Sequence, residues 1–409
     1  MSLQRACAIS LLLCCQALAC ASPPAGDADQ AQLEQLLARE ADPLAEIALE
    51  SPSGLFTARV AARAPGVFSP SEGDVEHVVL DIGAPSPMAC DFFNQEQDLA
   101  GSLLGLSELV FDALASQVGP LELRNIYGVD AGSIQGHSFL ALDWLYQVDG
   151  SVGLLKQRMA TASERSVYCY HDQVGYDATF ARAFAGLVAS LRYARPSDPA
   201  PYYTEVSVTT IGGHRVGVSR VEMTHDAEGD TQIVQVSAML MPRSAEHVLC
   251  IDSADVEWSR PDGSLINRVH TQAEGRELVN SLELVAIGDA WRVSGIYKLK
   301  DMDAEFTAES PLVSYLGEYL ALRREVETHG GEARVAFLKW LPNVDPSKPL
   351  QATYEVTGTQ ADGGYAARSV LGPLEMDLLL DPDGMPRVGS VDLGVATLEV
   401  ERVYASGRF

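Results

Sequence analysis

The chain predicts an α+β fold: an N-terminal sandwich of helices on an antiparallel sheet, then two β-rich units, with a weak internal duplication weighed within the latter. Three observations predict it. Two apolar patterns of helical period alternate with strand patterns in the first half. A stretch with three prolines, "ARPSDPAPYY" (Ala194–Tyr203), separates that half from the rest. Beyond it, strand patterns follow one another between turns such as "HDAEGD", "RPDGS" and "GDA". A length of 409 residues allows two or three domains, and 47% hydrophobic residues supply real cores.

The first 21 residues read as a signal peptide. Arg5 gives the positive start, and Ala6–Ala19 form an uncharged apolar run too short to span a bilayer as a helix. Two readings of the cleavage end stay open. Ala17-Leu18-Ala19 and Ala19-Cys20-Ala21 both place small residues where ordinary signal peptidase needs them. Ala17-Leu18-Ala19-Cys20 also resembles a bacterial lipobox, with Ala17 where Leu is preferred, which would make Cys20 the lipidated N-terminus. Residues 22–50 follow as a tether, "SPPAGDADQ", and short helices over Asp29–Ala48 interrupted at Pro43. The expected location is the periplasm, or the inner leaflet of the outer membrane, of a Gram-negative bacterium.

Residues 51–196 form the expected sandwich. Strands are read over Leu55–Ala64 and Val75–Ile82. Asn94, with Gln97 as capping-box partner, precedes a helix in which Leu99, Leu103, Leu106, Val110, Leu114 and Val118 recur at helical spacing; Gly119 and Pro120 end it. Strands between Leu121 and Tyr170 lead to a second helix over Asp177–Tyr193, with Phe180, Phe184, Leu187, Val188 and Leu191 inward. This order across residues 55–193 resembles the small envelope-associated proteins of the PsbP and DcrB type. The resemblance implies a non-catalytic accessory factor. The β-rich units are placed at 197–305 and 306–409, the second opening with a helix over Leu312–Val326. "LELVAIGDAWRVSGI" (Leu282–Ile296) and "LEMDLLLDPDGMPRVGSV" (Leu374–Val391) are the segments that suggest duplication.

Export changes how the cysteines read, because disulfides persist outside the cytoplasm. Cys7, Cys14 and Cys15 leave with the leader; Cys90, Cys169 and Cys250 remain. Cys90 and Cys169 fall in one domain and are the expected bridge, with three buried thiols as the alternative. No CxxC occurs, so neither a zinc ribbon nor a thioredoxin motif is available.

A net charge of −27, spread along the chain, repels phosphate backbones and argues against a nucleic-acid partner. Membrane contact is expected only through an N-terminal lipid at Cys20. The densest reactive cluster is "YCYHDQVGYD" (Tyr168–Asp177). Its His171 and Asp172 are the catalytic candidates, although neighbours on a strand point to opposite faces. "QGHSFL" around Ser138 lacks the second glycine of a nucleophile elbow. His225 with Asp226 and Asp230, and Asp381 with Asp383, sit in Asp-Gly turns that need no metal. Trp144 and Tyr146 read as core before they read as a stacking platform. No phosphate-binding glycine loop is present, so no cofactor and no metal are expected. The function these readings favour is an exported cell-envelope protein of binding or accessory type, whose partner is another protein or wall material. The alternative is a periplasmic hydrolase with a site assembled from dispersed residues.

Overall fold

A computed structural model describes residues 34–69, 75–162, 165–194, 200–372 and 374–408, apart from the side chains of 117, 118 and 162. The signal peptide, Cys20, the tether as far as 33, and residues 195–199 of the Pro-rich stretch lie outside the described residues. The chain divides into two compact units. One takes the residues before the Pro-rich stretch together with Leu240–Cys250, and the other takes the rest of the C-terminal part.

The N-terminal unit runs β1 (Glu46–Glu50), β2 (Phe56–Ala61), β3 (Val67–Phe68), β4 (Val75–Leu80), β5 (Met88–Phe93), α1 (Leu99–Val118), β6 (Leu123–Ile134), β7 (His137–Val148), β8 (Ser151–Ala162), β9 (Arg165–Asp172), α2 (Asp177–Ser190) and β10 (Arg192–Tyr193). β3-β4-β5-β9-β8-β7-β6 form a seven-stranded sheet, antiparallel at each pairing, and β1-β2-β10 form a three-stranded one. Alternation gives the large sheet two apolar faces. On one, Cys90, Phe92, Ala160, Val167 and Cys169 meet Phe180, Phe184, Leu187 and Val188 of α2, and Phe92 stacks on Phe56 of β2 at 3.8 Å. On the other, Phe111 of α1 meets Trp144 and Tyr146 edge-on at 5.9 and 5.8 Å. Trp144 donates its indole N–H to Ser107 Oγ at 3.2 Å, so both proposed platform aromatics belong to the core.

Local signals erred where pairing overrode them. Asn94 does not cap α1. β5 runs to Phe93, the helix starts after Asp98, and the Gln97 N–H donates to Ser166 Oγ at 2.9 Å. Ile47 and Ala48, read as helical, lie in β1 opposite Val60 and Arg59. α2 stops at Ser190 because Arg192 and Tyr193 pair with β2.

The C-terminal unit runs β11 (Tyr203–Ile211), β12 (His214–His225), β13 (Thr231–Pro242), β14 (Val248–Ser259), β15 (Leu265–Glu274), β16 (Glu277–Ile287), β17 (Ala290–Tyr297), β18 (Lys300–Thr307), α3 (Tyr315–His329), β19 (Arg334–Leu341), β20 (Asp345–Thr359), β21 (Tyr365–Leu371), β22 (Leu374–Leu380), β23 (Pro386–Asp392) and β24 (Thr397–Gly407). All these strands form one fourteen-stranded sheet in the order β18-β17-β16-β15-β14-β13-β12-β11-β24-β23-β22-β21-β20-β19. The expected α+β class is therefore corrected: strands make up 58% of the structure and helices 15%, in large antiparallel sheets. Strands before and after residue 305 share one sheet rather than forming two β-rich units. The segments that suggested duplication are its β16–β17 and β22–β23 hairpins.

This sheet curls past closure. Tyr315, Leu316, Tyr319, Leu322 and Val326 of α3 lie on Val221, Met223, Ile233, Phe337, Tyr354, Met376 and Leu378 of its inner face. Leu312–Ser314 stitch the β19 edge to the start of β15: Val313 N–H donates to Leu338 O, and Leu265 N–H to Leu312 O, at 2.9 and 2.8 Å. Leu338 and Trp340, on the opposite face of β19 from Phe337, pack with Leu282, Leu284 and Val293 of β16 and β17. The sheet thus overlaps itself at β19.

At the start of α3 the chain leaves no room for a side chain. A Cβ on Gly317 would overlap the Gly263 carbonyl, and Gly263 itself has φ +88. Gly317→Ala should therefore destabilise the protein by about 2 kcal/mol or more, although alanine favours helices over glycine by about 1 kcal/mol at an open position. Urea denaturation checks it; an unchanged or raised midpoint would refute the close-packing account.

Candidate functional site

β9 carries both catalytic candidates, and alternation sends them apart. His171 is fully buried, opposite Lys156 of β8 and stacked on Phe180 at 5.8 Å. Ser86, from the loop before β5, is the nucleophile-type group that the fold brings to it. His171 Nε2 lies 3.1 Å from Ser86 Oγ and 3.2 Å from the Ser86 carbonyl. Ser86 Oγ donates to the Asp172 carbonyl at 2.9 Å. Because a carbonyl only accepts, this network assigns the ring proton to Nε2, which then donates to Ser86 and cannot take its proton. The other nitrogen, Nδ1, is buried with no partner among the described residues. Burial, and then the Lys156 ammonium, lower the His171 pKa to about 4, against a small opposing effect of the Ser86 carbonyl.

Asp172 does not reach the imidazole. Both its oxygens accept from Tyr146 OH, each at 2.7 Å, and burial raises its pKa while Tyr146 and Lys156 oppose the rise. Lys156 is fully buried as well. It donates to the Gln173 carbonyl at 2.6 Å and to the Gly175 carbonyl, and it lies 3.2 Å from Asp177, fastening the turn that leads into α2. The arrangement clamps a strand end and a turn. It lacks the nucleophile–base–acid chain of a hydrolase. Cys169, two positions before His171, is bonded to Cys90 directly across β5 and β9 with Cα atoms 4.1 Å apart.

A larger cluster, missed in the sequence, lies inside the C-terminal unit. Arg268 of β15 sits between Asp255, at 2.5 Å, and Glu257, at 3.0 Å, and donates to the Trp340 carbonyl at 3.1 Å. His270 lies 3.0 Å from Asp255 through Nδ1 and 3.0 Å from Asn343 Oδ1 through Nε2. Burial alone would raise the Asp255 pKa; Arg268 and then His270 hold it well below the usual carboxylate range. Nearer the helix, Glu318 of α3 accepts from Lys339 and from Tyr354 OH, all three buried. Glu205 accepts from Tyr203 OH at 2.6 Å, from Tyr315 OH at 3.1 Å and from Tyr319 OH at 3.3 Å. Burial, then Glu205, raise the pKa of Tyr315 and Tyr319 well above ordinary phenols, so both hydroxyls stay protonated as donors. The sequence held a signal for the lysines at least: Lys156 and Lys339 each interrupt an apolar strand run, "GLLKQRM" and "AFLKWL".

Other candidates resolve into architecture. Ser138 is buried with its Oγ 2.7 Å from Thr161 Oγ1. Carboxylate oxygens of Asp226, Glu228 and Asp230 come within 4.8 Å of one another. Asp226 Oδ1 there accepts the N–H groups of Glu228 and Asp230 at 2.9 Å each, the bonding of a tight Asx turn. His225 stands apart, stacked on Tyr202 at 4.0 Å. Asp381 is held by Arg402 at 2.6 Å and accepts from Asp383 N–H at 3.1 Å.

Two stability experiments follow. The unfolded chain binds a proton at His171 near pH 6.5, whereas the folded chain resists it down to about 4. Stability from the neutral buried ring is thus complete above about pH 6.5 and falls by roughly 3 kcal/mol as pH drops to 4. Asp172, with its raised pKa, acts in the opposite sense, so the test is a difference: melting points between pH 7 and 4 should fall less steeply for His171→Gln than for the parent. Equal slopes would exclude the effect. In the second, Lys339→Met leaves Glu318 buried without its cation and should cost about 3 to 5 kcal/mol, whereas Lys339→Met with Glu318→Leu should recover much of that loss. Denaturant midpoints of the three proteins decide it.

No family model matches the chain, and no curated protein matches it. Among solved structures it is similar to a β-barrel-like protein of the domain of unknown function DUF1849 from Brucella abortus: 13% identity, TM-score 0.39, covering 51% of this chain and 98% of that one. It is also similar to a DUF1089 family protein from Pseudomonas aeruginosa: 13% identity, TM-score 0.28, covering 42% of this chain and 88% of that one. Neither is of the PsbP or DcrB type, and both similarities are weak and at the level of topology alone.

Proposed function

We propose that the protein is exported and works in the cell envelope as a non-catalytic binding or accessory protein, with a protein or wall material as partner. The observation that carries the export reading is the buried Cys90–Cys169 disulfide, a bond that persists in oxidising compartments and is rare in the cytosol. The leader and Cys20 agree with it in sequence. Binding is favoured over catalysis by the direction of the His171–Ser86 hydrogen bond and by the enclosure of Glu318 with Lys339, of Arg268 with Asp255 and Glu257, and of Glu205 among tyrosine hydroxyls. Membrane attachment, in this reading, goes through a lipid on Cys20 alone.

Sequencing the mature N-terminus tests the reading. A chain beginning at or just after Cys20 is expected, and palmitate label lost on Cys20→Ser would identify the anchor. An intact Met1 in the cytosolic fraction would end the proposal. Ester or peptide hydrolysis abolished by His171→Ala in a still-folded protein would replace it with the hydrolase.

A further inference from the structure

The two ends of the fourteen-stranded sheet are finished differently. β19 is sealed by the chain's own Leu312–Ser314. β18, eight residues long, has β17 as its one sheet neighbour, with no register shift and no proline. Among the described residues no hydrogen bond reaches its outer backbone. A free, straight edge of this kind is a template for another strand.

Which backbone groups it offers follows from the turn. Lys298 and Leu299 have φ of 50 and 63, a two-residue hairpin of the primed type, so the flanking Tyr297 and Lys300 form a hydrogen-bonded pair. Antiparallel pairs alternate, and Met302, Ala304 and Phe306 therefore point their N–H and C=O groups at β17. Asp301, Asp303, Glu305 and Thr307 point theirs outward. These are the exposed positions, whereas Met302, Ala304 and Phe306 are half-buried against the core. Three carboxylates stand on the face above the free backbone groups. Arg292 takes Asp303, at 2.8 and 2.7 Å, and attracts Glu305, which lies directly across from it; Asp301 has no ion pair among the described residues.

We propose that the β18 edge is a docking site for an extended segment of another protein, added as an antiparallel or parallel strand, with basic residues at alternate positions. Backbone hydrogen bonds to Asp301, Asp303, Glu305 and Thr307 hold the segment, and its Lys or Arg side chains meet the carboxylates. The acidic face excludes a second copy of this chain, since two β18 edges would oppose like charges. The proposal deepens the binding reading above by naming the surface and the partner's chemistry.

The test is fluorescence anisotropy with the mature protein and a labelled peptide of alternating Lys and Val. Saturable binding is expected, weakened tenfold or more by N-methylation of the amides on one edge of the peptide, which keeps its charge, and by Asp301→Lys with Glu305→Lys. Asp303→Pro removes an outward N–H while leaving the β17 ladder intact, and should abolish binding without moving the melting point. No saturable binding, or binding that survives N-methylation on either edge, overturns the proposal even if Asp303→Pro fails to fold. A mature exported protein that ignores the peptide refutes the edge site alone. An uncleaved cytosolic protein that binds it refutes the envelope reading alone.

Discussion

Burying Arg268 against Asp255 and Glu257 is the constraint on which the C-terminal unit depends. Each ion taken out of water costs several kcal/mol, and the attraction between them returns that cost only in good geometry. The geometry here is set by register. Glu257 is directly opposite Arg268, and Asp255 directly opposite His270, across β14 and β15. A slip of β15 by one residue would carry Arg268 and His270 to the face away from Asp255 and Glu257. The same guanidinium reaches the Trp340 carbonyl, and His270 reaches Asn343 just beyond β19. Polar groups at the overlapping end of the sheet thus find partners on the strand face they overlap, and the curl has a defined stopping point.

Glu257 links that closure to the helix. One of its oxygens takes Arg268 and the other accepts the Tyr315 N–H at 2.7 Å, at the N-terminus of α3, where a negative group is favoured. One turn on, Glu318 meets Lys339 of β19. The helix is therefore positioned by charges on both sides of the overlap. Its placement needs contacts between residues far apart in sequence, such as Glu205 with Tyr319, so the helix can settle only once the sheet has largely formed.

What the sequence made legible follows from this. The existence of α1, α2 and α3 was readable, since Leu99, Leu103, Phe180, Phe184, Leu316 and Tyr319 bury one face of a helical period. The Cys90–Cys169 pair was readable because both cysteines fall in one domain, Cys90 just before a helical pattern and Cys169 on a strand-like run. Helix limits were not. Asn94 offers a good local cap, but β5 pairing carries the chain to Phe93, and β2 pairing takes Arg192 and Tyr193 from α2. The single large sheet was hidden because strand order is decided by long-range pairing, here β11 beside β24, that leaves no trace in periodicity. Ser86 beside His171 was hidden for the same reason: the contact spans 85 residues.

The two units protect their interiors by different means, and this bears on how their titratable groups are to be understood. The N-terminal unit has a covalent cross-strand bond, with a neutral histidine and a lysine capped by carbonyl oxygens near it. The C-terminal unit relies on mutually paired ions and phenols. In both, shifted pKa values mark burial and partnership, which functional sites share with structural networks. What separates the two cases is an approach for substrate and a proton acceptor with free capacity. His171 has an unpartnered nitrogen, but it is sealed beneath Phe180, while its other nitrogen already donates. Asp255 has an unpartnered oxygen, but beside it Arg268 and His270 keep the carboxylate charged and a weak base. The perturbed groups therefore account for how the fold is held, and under the proposed binding role recognition is to be sought on surfaces where backbone and charge remain open.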